Sequence, residues 1–212
     1  MRSTWRAVSA VITVVLLAGC RVGAVAEATV ETDGSGTAGW TITLDADARA
    51  VGGDHLADEL VAGFADVDDA PWQMADTVEA DGRRVLRVWR ATRDASDVTA
   101  AFDELTQGLA ADDPALRIDL DTTSDGRLQT FAGTAAFTLP EDAGIAIDGA
   151  PVGPVGEAFI SRVGEFVDAR LRLTVDGEVR EHDADQRDGA TLVWDLRPGE
   201  DRAVHLTFAS AR

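Results

Sequence analysis

Apolar and polar residues alternate with a period of two through most of this chain, a pattern that places one face of a strand on a core and the other toward water. Val22 to Glu31 and Thr37 to Leu44 read as a first hairpin, with Trp40, Ile42 and Leu44 sharing a face. Gln73 to Glu79 and Arg84 to Ala91 read as a second. In a third, Leu116, Ile118 and Leu120 alternate with Arg117, Asp119 and Asp121, and the return strand carries Phe131, Ala135, Phe137 and Leu139. Toward the C-terminus Leu171, Leu173 and Val175, then Leu192, Trp194 and Leu196, then Val204, Leu206 and Phe208 repeat the alternation over three more strands. Asp-Gly dipeptides at Asp33-Gly34, Asp81-Gly82, Asp125-Gly126, Asp148-Gly149, Asp176-Gly177 and Asp188-Gly189 punctuate the strands. They favour tight hairpin turns, whose central residues need positive φ.

Two segments switch to helical spacing, one through Leu56, Leu60, Phe64 and Val67, the other through Val98, Phe102, Leu105 and Leu109, with Asp54 and Ser96 as N-cap candidates. The order predicts an α+β domain. It is a mainly antiparallel sheet of about eight or nine strands, in hairpins and a C-terminal meander, with two or three helices packed on one face and a weak ββα repetition. Residues 20–212 are expected to form a single domain. Pro140 to Gly156, rich in proline and glycine, reads as a long loop or sub-domain boundary, and Phe159 to Val167 as a short helix or a further strand.

The N-terminus follows a different logic. Met1 to Arg6 is short and basic, and Ala7 to Leu17 is largely apolar but too short for a bilayer span, which needs about 20 residues. Leu17-Ala18-Gly19-Cys20 follows, with the chain's single cysteine at its end. This resembles the bacterial lipobox, which implies a signal peptide over 1–19, cleavage between Gly19 and Cys20, and acylation of the Cys20 thiol. Two or three fatty chains on one cysteine anchor a protein stably, because each buried methylene contributes about 0.8 kcal/mol. No later stretch approaches spanning length, so residues 21–212 are expected on the extracytoplasmic side of the cell membrane.

Composition then narrows the partners. The chain carries 38 acidic and 19 basic residues, and loss of 1–19 removes only Arg2 and Arg6. So negative a surface repels nucleic acid. Lysine, tyrosine and asparagine are absent, a bias that fits a GC-rich genome. Their absence excludes a P-loop lysine, a Schiff base and a Ser-x-x-Lys acyl enzyme. With Cys20 acylated there is no second thiol for a disulfide.

The residue types that carry chemistry do not assemble into a motif. His55, His182 and His205 lie in three elements without zinc-ligand spacing. Asp121, Thr123, Asp125 and Gly126 imitate the start of a calcium loop, but Ala132 stands where a bidentate Glu is required, so a hairpin turn is read there. The groups Asp66, Asp68, Asp69 and Glu181, Asp183, Asp185 read as solvated faces. Ser35 sits in a turn without a base nearby. The chain is therefore expected not to be an enzyme and to need no cofactor or metal.

Family resemblance enters at the two ends. Ala169 to Val175, a Gly-Glu-Val turn, Asp188-Gly189-Ala190-Thr191-Leu192-Val193-Trp194-Asp195-Leu196 and Pro198-Gly199-Glu200 follow in order, and the start offers a lipidated cysteine, a strand and Asp33-Gly34-Ser35-Gly36-Thr37. Together these resemble the LppM-type domain of actinobacterial membrane lipoproteins. The resemblance implies a cell-envelope domain that binds lipids or glycolipids, without a catalytic centre. Many such proteins carry a C-terminal transmembrane helix, whereas this chain stops at Arg212, so the lipid on Cys20 is expected to be the whole anchor.

Strand character begins at Val22 with no flexible Ser/Gly spacer, so the domain is expected close to the bilayer. A helix-covered sheet there offers room for an apolar ligand between its layers, with Trp40, Phe64, Trp89 and Phe102 as walls. The plainer reading makes these aromatics core. Two functions follow: a module binding an envelope lipid or glycolipid, or a structural lipoprotein that engages another envelope protein.

Overall fold

A computed structural model describes residues 21–50, 54, 57–58, 61, 72–109, 116–138, 146–147, 150–151 and 167–210. The first two hairpins form as their alternation predicts: β1 (Val22–Val30) with β2 (Gly36–Leu44), and β3 (Gln73–Val78) with β4 (Arg84–Thr92). The third joins β5 (Leu116–Asp125) to β6 (Leu128–Phe137). Then come two-residue strands β7 (Ala146–Ile147) and β8 (Ala150–Pro151) inside the expected loop, followed by β9 (Val167–Val175), β10 (Gly177–His182), β11 (Gln186–Asp188), β12 (Thr191–Leu196) and β13 (Asp201–Ser210). Two helices accompany them among the described residues, α1 (Ala46–Ala48) and α2 (Ala95–Leu109).

The strands divide into a seven-stranded sheet, ordered β11-β12-β9-β1-β2-β4-β3, and a four-stranded sheet, ordered β10-β13-β6-β5, with β7 and β8 pairing by themselves. The fold is broadly α+β, but it has more strands than predicted, and the C-terminal strands do not form the expected meander. β9 and β12 join the first sheet, β13 joins the second, and the short polar strands β10 and β11, which carry little apolar alternation, escaped the sequence reading. Nor is the first sheet wholly antiparallel. β1 runs parallel to β9 from Val22↔Val167 to Val30↔Val175, which makes β1 the central strand.

Turn chemistry explains the split. Gly34, Gly82, Gly126 and Gly189 all take positive φ at hairpin turns. Asp176-Gly177 does not turn a hairpin: Gly177 starts β10 in the second sheet directly after β9 ends in the first, and Asp176 N–H donates to the Val30 carbonyl at 2.7 Å. Asp148-Gly149 and Phe159 to Phe166 lie outside the described residues, as do Leu56, Leu60, Phe64 and Val67 of the first predicted helix.

Both sheets and α2 enclose one core. β1 contributes Ala26, Ala28 and Val30, β9 contributes Leu171 and Leu173, and β12 contributes Leu192 and Trp194; the second sheet faces them with Phe131, Leu206 and Phe208. The Phe131 and Phe208 rings stack at 6.3 Å. Helix α2 lies against β5 and against β2 and β4, so it shares the layer of the second sheet and covers the other half of the first. Its face of Ala95, Val98, Ala101, Phe102 and Leu105 is buried; each of the larger side chains contributes about 1.5–3 kcal/mol. Its N-cap is Asp94, two residues before the expected Ser96. Asp94 accepts the Asp97 N–H at 2.9 Å and the Ser96 hydroxyl at 2.6 Å, which places Ser96 inside the first turn.

Gly39 shows how closely β2 approaches β4. A Cβ there would lie 2.2 Å from the Val88 carbonyl oxygen and 2.7 Å from the Trp89 Cα, whereas one on Gly126 would meet nothing within 4 Å. Gly126→Ala should cost about 1 kcal/mol, the left-handed backbone penalty alone. Gly39→Ala should cost about 3 kcal/mol, because two central strands must move apart. Urea unfolding of both variants checks the order; equal losses would mean that β2 shifts freely.

Candidate functional site

The first region of interest is the end of the large sheet from which the N-terminus departs. Register aligns Val22 with Leu44 and Leu44 with Arg84 in one row across β1, β2 and β4, and Val78 closes the row on β3. Arg21 is fixed to this row by two bonds with Asp45: its N–H donates to the Asp45 carboxylate at 2.7 Å, and the Asp45 N–H donates to its carbonyl at 3.2 Å. The other Asp45 oxygen caps α1 through the Ala48 N–H at 2.7 Å. Cys20 and Gly19, which precede Arg21 in the sequence, lie outside the described residues.

Arg84 fills the same end. Its side chain, 11% exposed, donates to both oxygens of Asp76 at 2.9 and 2.6 Å, to Asp58 at 2.7 Å, and to the carboxylate and carbonyl of Asp54 at 3.2 and 3.1 Å. Arg49 grips Asp54 from the other side at 2.9 and 3.2 Å and reaches the Gly82 carbonyl of the β3–β4 turn at 2.6 Å. Asp54, expected to cap a helix, thus has its carboxylate committed to two arginines. Hydrogen bonds from Arg84 hold the Asp76 carboxyl below the usual carboxylate range against its partial burial, and those from Arg49 and then Arg84 do the same for Asp54. The shallow concavity here, about 270 Å³, is lined by these same ion-paired groups and Val78.

The second region lies between α2 and the sheet. Trp40 and Phe102 both belong to the core there, and Trp72 packs against it. Trp89 is elsewhere. Along β4 the even-numbered residues Arg84 to Thr92 are buried and the odd-numbered ones are not, so Trp89 lies on the opposite face of the sheet, beneath the Arg87 guanidinium at 5.2 Å. The structure therefore brings together Trp40 and Phe102 but not Trp89, and Phe64 is outside the described residues. On these elements four buried polar atoms have no hydrogen-bond partner among the described residues: Trp40 Nε1, Arg90 Nε and Thr92 Oγ1 on the strands, and Thr106 Oγ1 on the helix. Arg90 itself is buried beneath the Trp72 ring at 5.6 Å, donating to the Asp97 carboxylate at 3.1 Å.

Sequence reading missed the role of Asp183, which it left on a solvated face. One of its carboxylate oxygens accepts both the Trp194 indole N–H at 2.7 Å and the His205 backbone N–H at 2.8 Å, and its carbonyl accepts from Arg202 at 2.7 Å. Asp183 thereby ties β12 of one sheet to β13 of the other. The signal available was the nearby Trp194, whose indole needs an acceptor when buried. Among the described residues no three His, Cys, Asp or Glu side chains converge as metal ligands would, and no helix is long and apolar enough to cross a membrane. Asp121 to Asp125 are the end of strand β5, and Gly126 with Arg127 makes the tight turn into β6.

Together, fold and site define a two-sheet α+β domain that leaves the N-terminus from the end of its central strand. No family model and no curated relative matches the chain. Among solved structures it is similar to the folded domain of LppM from Mycobacterium tuberculosis, determined by NMR, over 90% of this chain and 91% of that one, with a TM-score of 0.49 and 10% identity.

Arg84→Gln should lower stability by about 2 kcal/mol, because it leaves three carboxylates facing one another at a half-buried site. Asp54 and Asp76 have depressed pKa values in the folded state, so the stability they confer is complete above the unfolded value of about 3.9 and is lost as pH falls through the folded one. The urea midpoint of the parent should therefore drop between about pH 5 and pH 2. In Arg84→Gln the drop should be smaller. An identical acid profile would show that Arg84 does not set these titrations.

Proposed function

We propose that the chain is a lipid-anchored protein of the cell envelope, held on the extracytoplasmic side by acyl chains on Cys20 and close against the bilayer. The observation that carries this reading is the junction itself. A lipobox-like run ends at Cys20, Arg21 is bonded twice to Asp45, and Val22 already pairs on both sides as the first residue of the central strand. One residue, Arg21, separates the acylated position from the first residue of the central strand, a span of about 7 Å between Cys20 and Val22. A tether so short supports a fixed stand-off and argues against a domain that swings on a linker.

A lipid or glycolipid is the ligand class we favour, entering where α2 packs on the sheet. Support comes from buried polar atoms of Trp40, Arg90, Thr92 and Thr106 that have no partner among the described residues, and from the apolar Phe102 one turn before Thr106 on α2. Each unsatisfied buried group costs about 1–3 kcal/mol, so an amphiphile that brings hydroxyls among apolar contacts gains on both counts.

Two measurements test the reading. Expressed in a bacterial host, the full chain should fractionate with membranes and yield an N-terminal peptide heavier by its acyl chains, whereas Cys20→Ser should release the domain; equal membrane retention would overturn the anchor. Native mass spectrometry of the Cys20→Ser protein should show co-purified lipid that Thr106→Val and Trp40→Phe reduce. A lipid-free mass, with no thermal shift on adding envelope lipids and glycolipids, would refute the ligand while leaving the anchor standing.

A further inference from the structure

Sheet edges offer unpaired N–H and C=O groups to any other strand, and proteins blunt them with charge, bulges, shortness or cover. Of the four edges of the two larger sheets, three are blunted. β11 is a three-residue polar strand, β10 carries Glu178, Arg180 and Glu181 with a bulge between Val179 and Glu181, and β5 alternates Arg117, Asp119 and Asp121 outward and has α2 packed against it. The fourth edge, β3, is different. Gln73-Met74-Ala75-Asp76-Thr77-Val78 has regular register along β4, and its one charge, Asp76, is neutralised by Arg84. Met74 and Val78 stand 40% and 58% exposed, beyond the cover that buries the neighbouring Leu86 and Val88.

The hairpin geometry says which groups are free. Glu79 N–H donates to the Arg83 carbonyl at 2.7 Å, so Glu79 and Arg83 are a hydrogen-bonded pair and bonding alternates from there. Residues 73, 75 and 77 bond inward to β4, and the N–H and C=O groups of Met74, Asp76 and Val78 point away from it. The surroundings favour one sign of partner: around the Val78 end the carboxylates of Asp54, Asp58, Asp76, Glu79 and Asp81 outnumber the guanidiniums of Arg49, Arg83 and Arg84 that pair with them, in a chain of net charge −19.

We propose that β3 is a docking edge for an extended, basic segment of another protein, which adds as a strand beside Met74, Asp76 and Val78 and sets its arginines or lysines among those carboxylates. Such addition takes affinity from main-chain bonds and specificity from alternate side chains. A second copy of this chain is disfavoured by the charge each copy carries. The proposal stands independently of the lipid anchor.

The test uses the Cys20→Ser chain and, as probe, a capped heptapeptide of alternating arginine and valine, with a glutamate–valine peptide as control. Amide hydrogen exchange should find Met74, Asp76 and Val78 unprotected in the free protein and slowed by the basic peptide but not by the acidic one. Met74→Pro removes an outward N–H that β4 does not use, so it should spare the hairpin while weakening the peptide roughly tenfold or more. Met74→Lys, which gives this edge the charge the others have, should weaken it in the same direction without a backbone change. Three results would overturn the proposal: edge amides already protected in the free protein, binding unchanged by both substitutions, or protection that appears with protein concentration alone and marks a dimer.

Discussion

The domain depends on a floor of small side chains at the centre of its larger sheet. Ala26, Ala28, Ala38 and Ala169 come from three adjacent strands, and all are buried. Against such a floor the opposite layer can be large, and it is: Phe131, Phe208 and Phe102 are fully enclosed, while Trp194 closes the flank on β12. Close packing demands this alternation of small against large, because a methylene added or removed anywhere in such a core is felt. With a single cysteine in the whole chain no internal disulfide can form, and it is this packing that specifies the fold.

Electrostatics then acts locally on a chain that is strongly acidic overall. With lysine absent, every permanently charged basic side chain is an arginine, and the forked guanidinium suits a group that must hold several carboxylates at once. Arg84 does so for Asp54, Asp58 and Asp76, and Arg90 does so for Asp97 and Glu104 at 3.1 and 3.5 Å. In both cases the arginine belongs to β4 and the carboxylates lie in segments packed beside or over it. The interior face of β4 is thus fastened by ionic bonds at both ends and by Leu86 and Val88 between them.

Much of this was legible in the chain. Period-two alternation located the first two hairpins to within a residue and found the third, whose strands run several residues further toward the turn than its apolar positions marked, and Asp-Gly marked four of the turns, since only the local backbone is involved. The partition into two sheets was not legible, because β9 and β13 look alike in sequence and differ only in which neighbour they meet. Asp176-Gly177 misled for the same reason: the dipeptide permits a tight turn, but the Val30 carbonyl captured the Asp176 N–H and carried the chain across. The candidate site divides similarly. Trp40 and Phe102 share a core, as alternation and helical spacing allow, yet Trp89 was grouped with them although its odd position on β4 sends it outward, a conflict visible from Val88 and Arg90 alone. Asp183 was hidden because its partners, Trp194 and His205, are brought to it by strands of different sheets.

The parallel pairing of β1 with β9 is what would turn an anchor into a mount. A hairpin strand at an edge, pulled from its end, opens like a zipper one bond at a time. β1 is instead flanked on both sides, with β2 antiparallel and β9 parallel, and each pairing runs over the full strand from Val22 to Val30. Force entering at Arg21 along the strand must shear both ladders together, and the Arg21–Asp45 bonds at the very end share the first of that load. The chain's single cysteine comes two positions before that strand in the sequence. On the proposed reading, acyl chains at Cys20 transmit the orientation of the membrane directly to the sheet, and with it the standing height of every edge and face that the sheet presents.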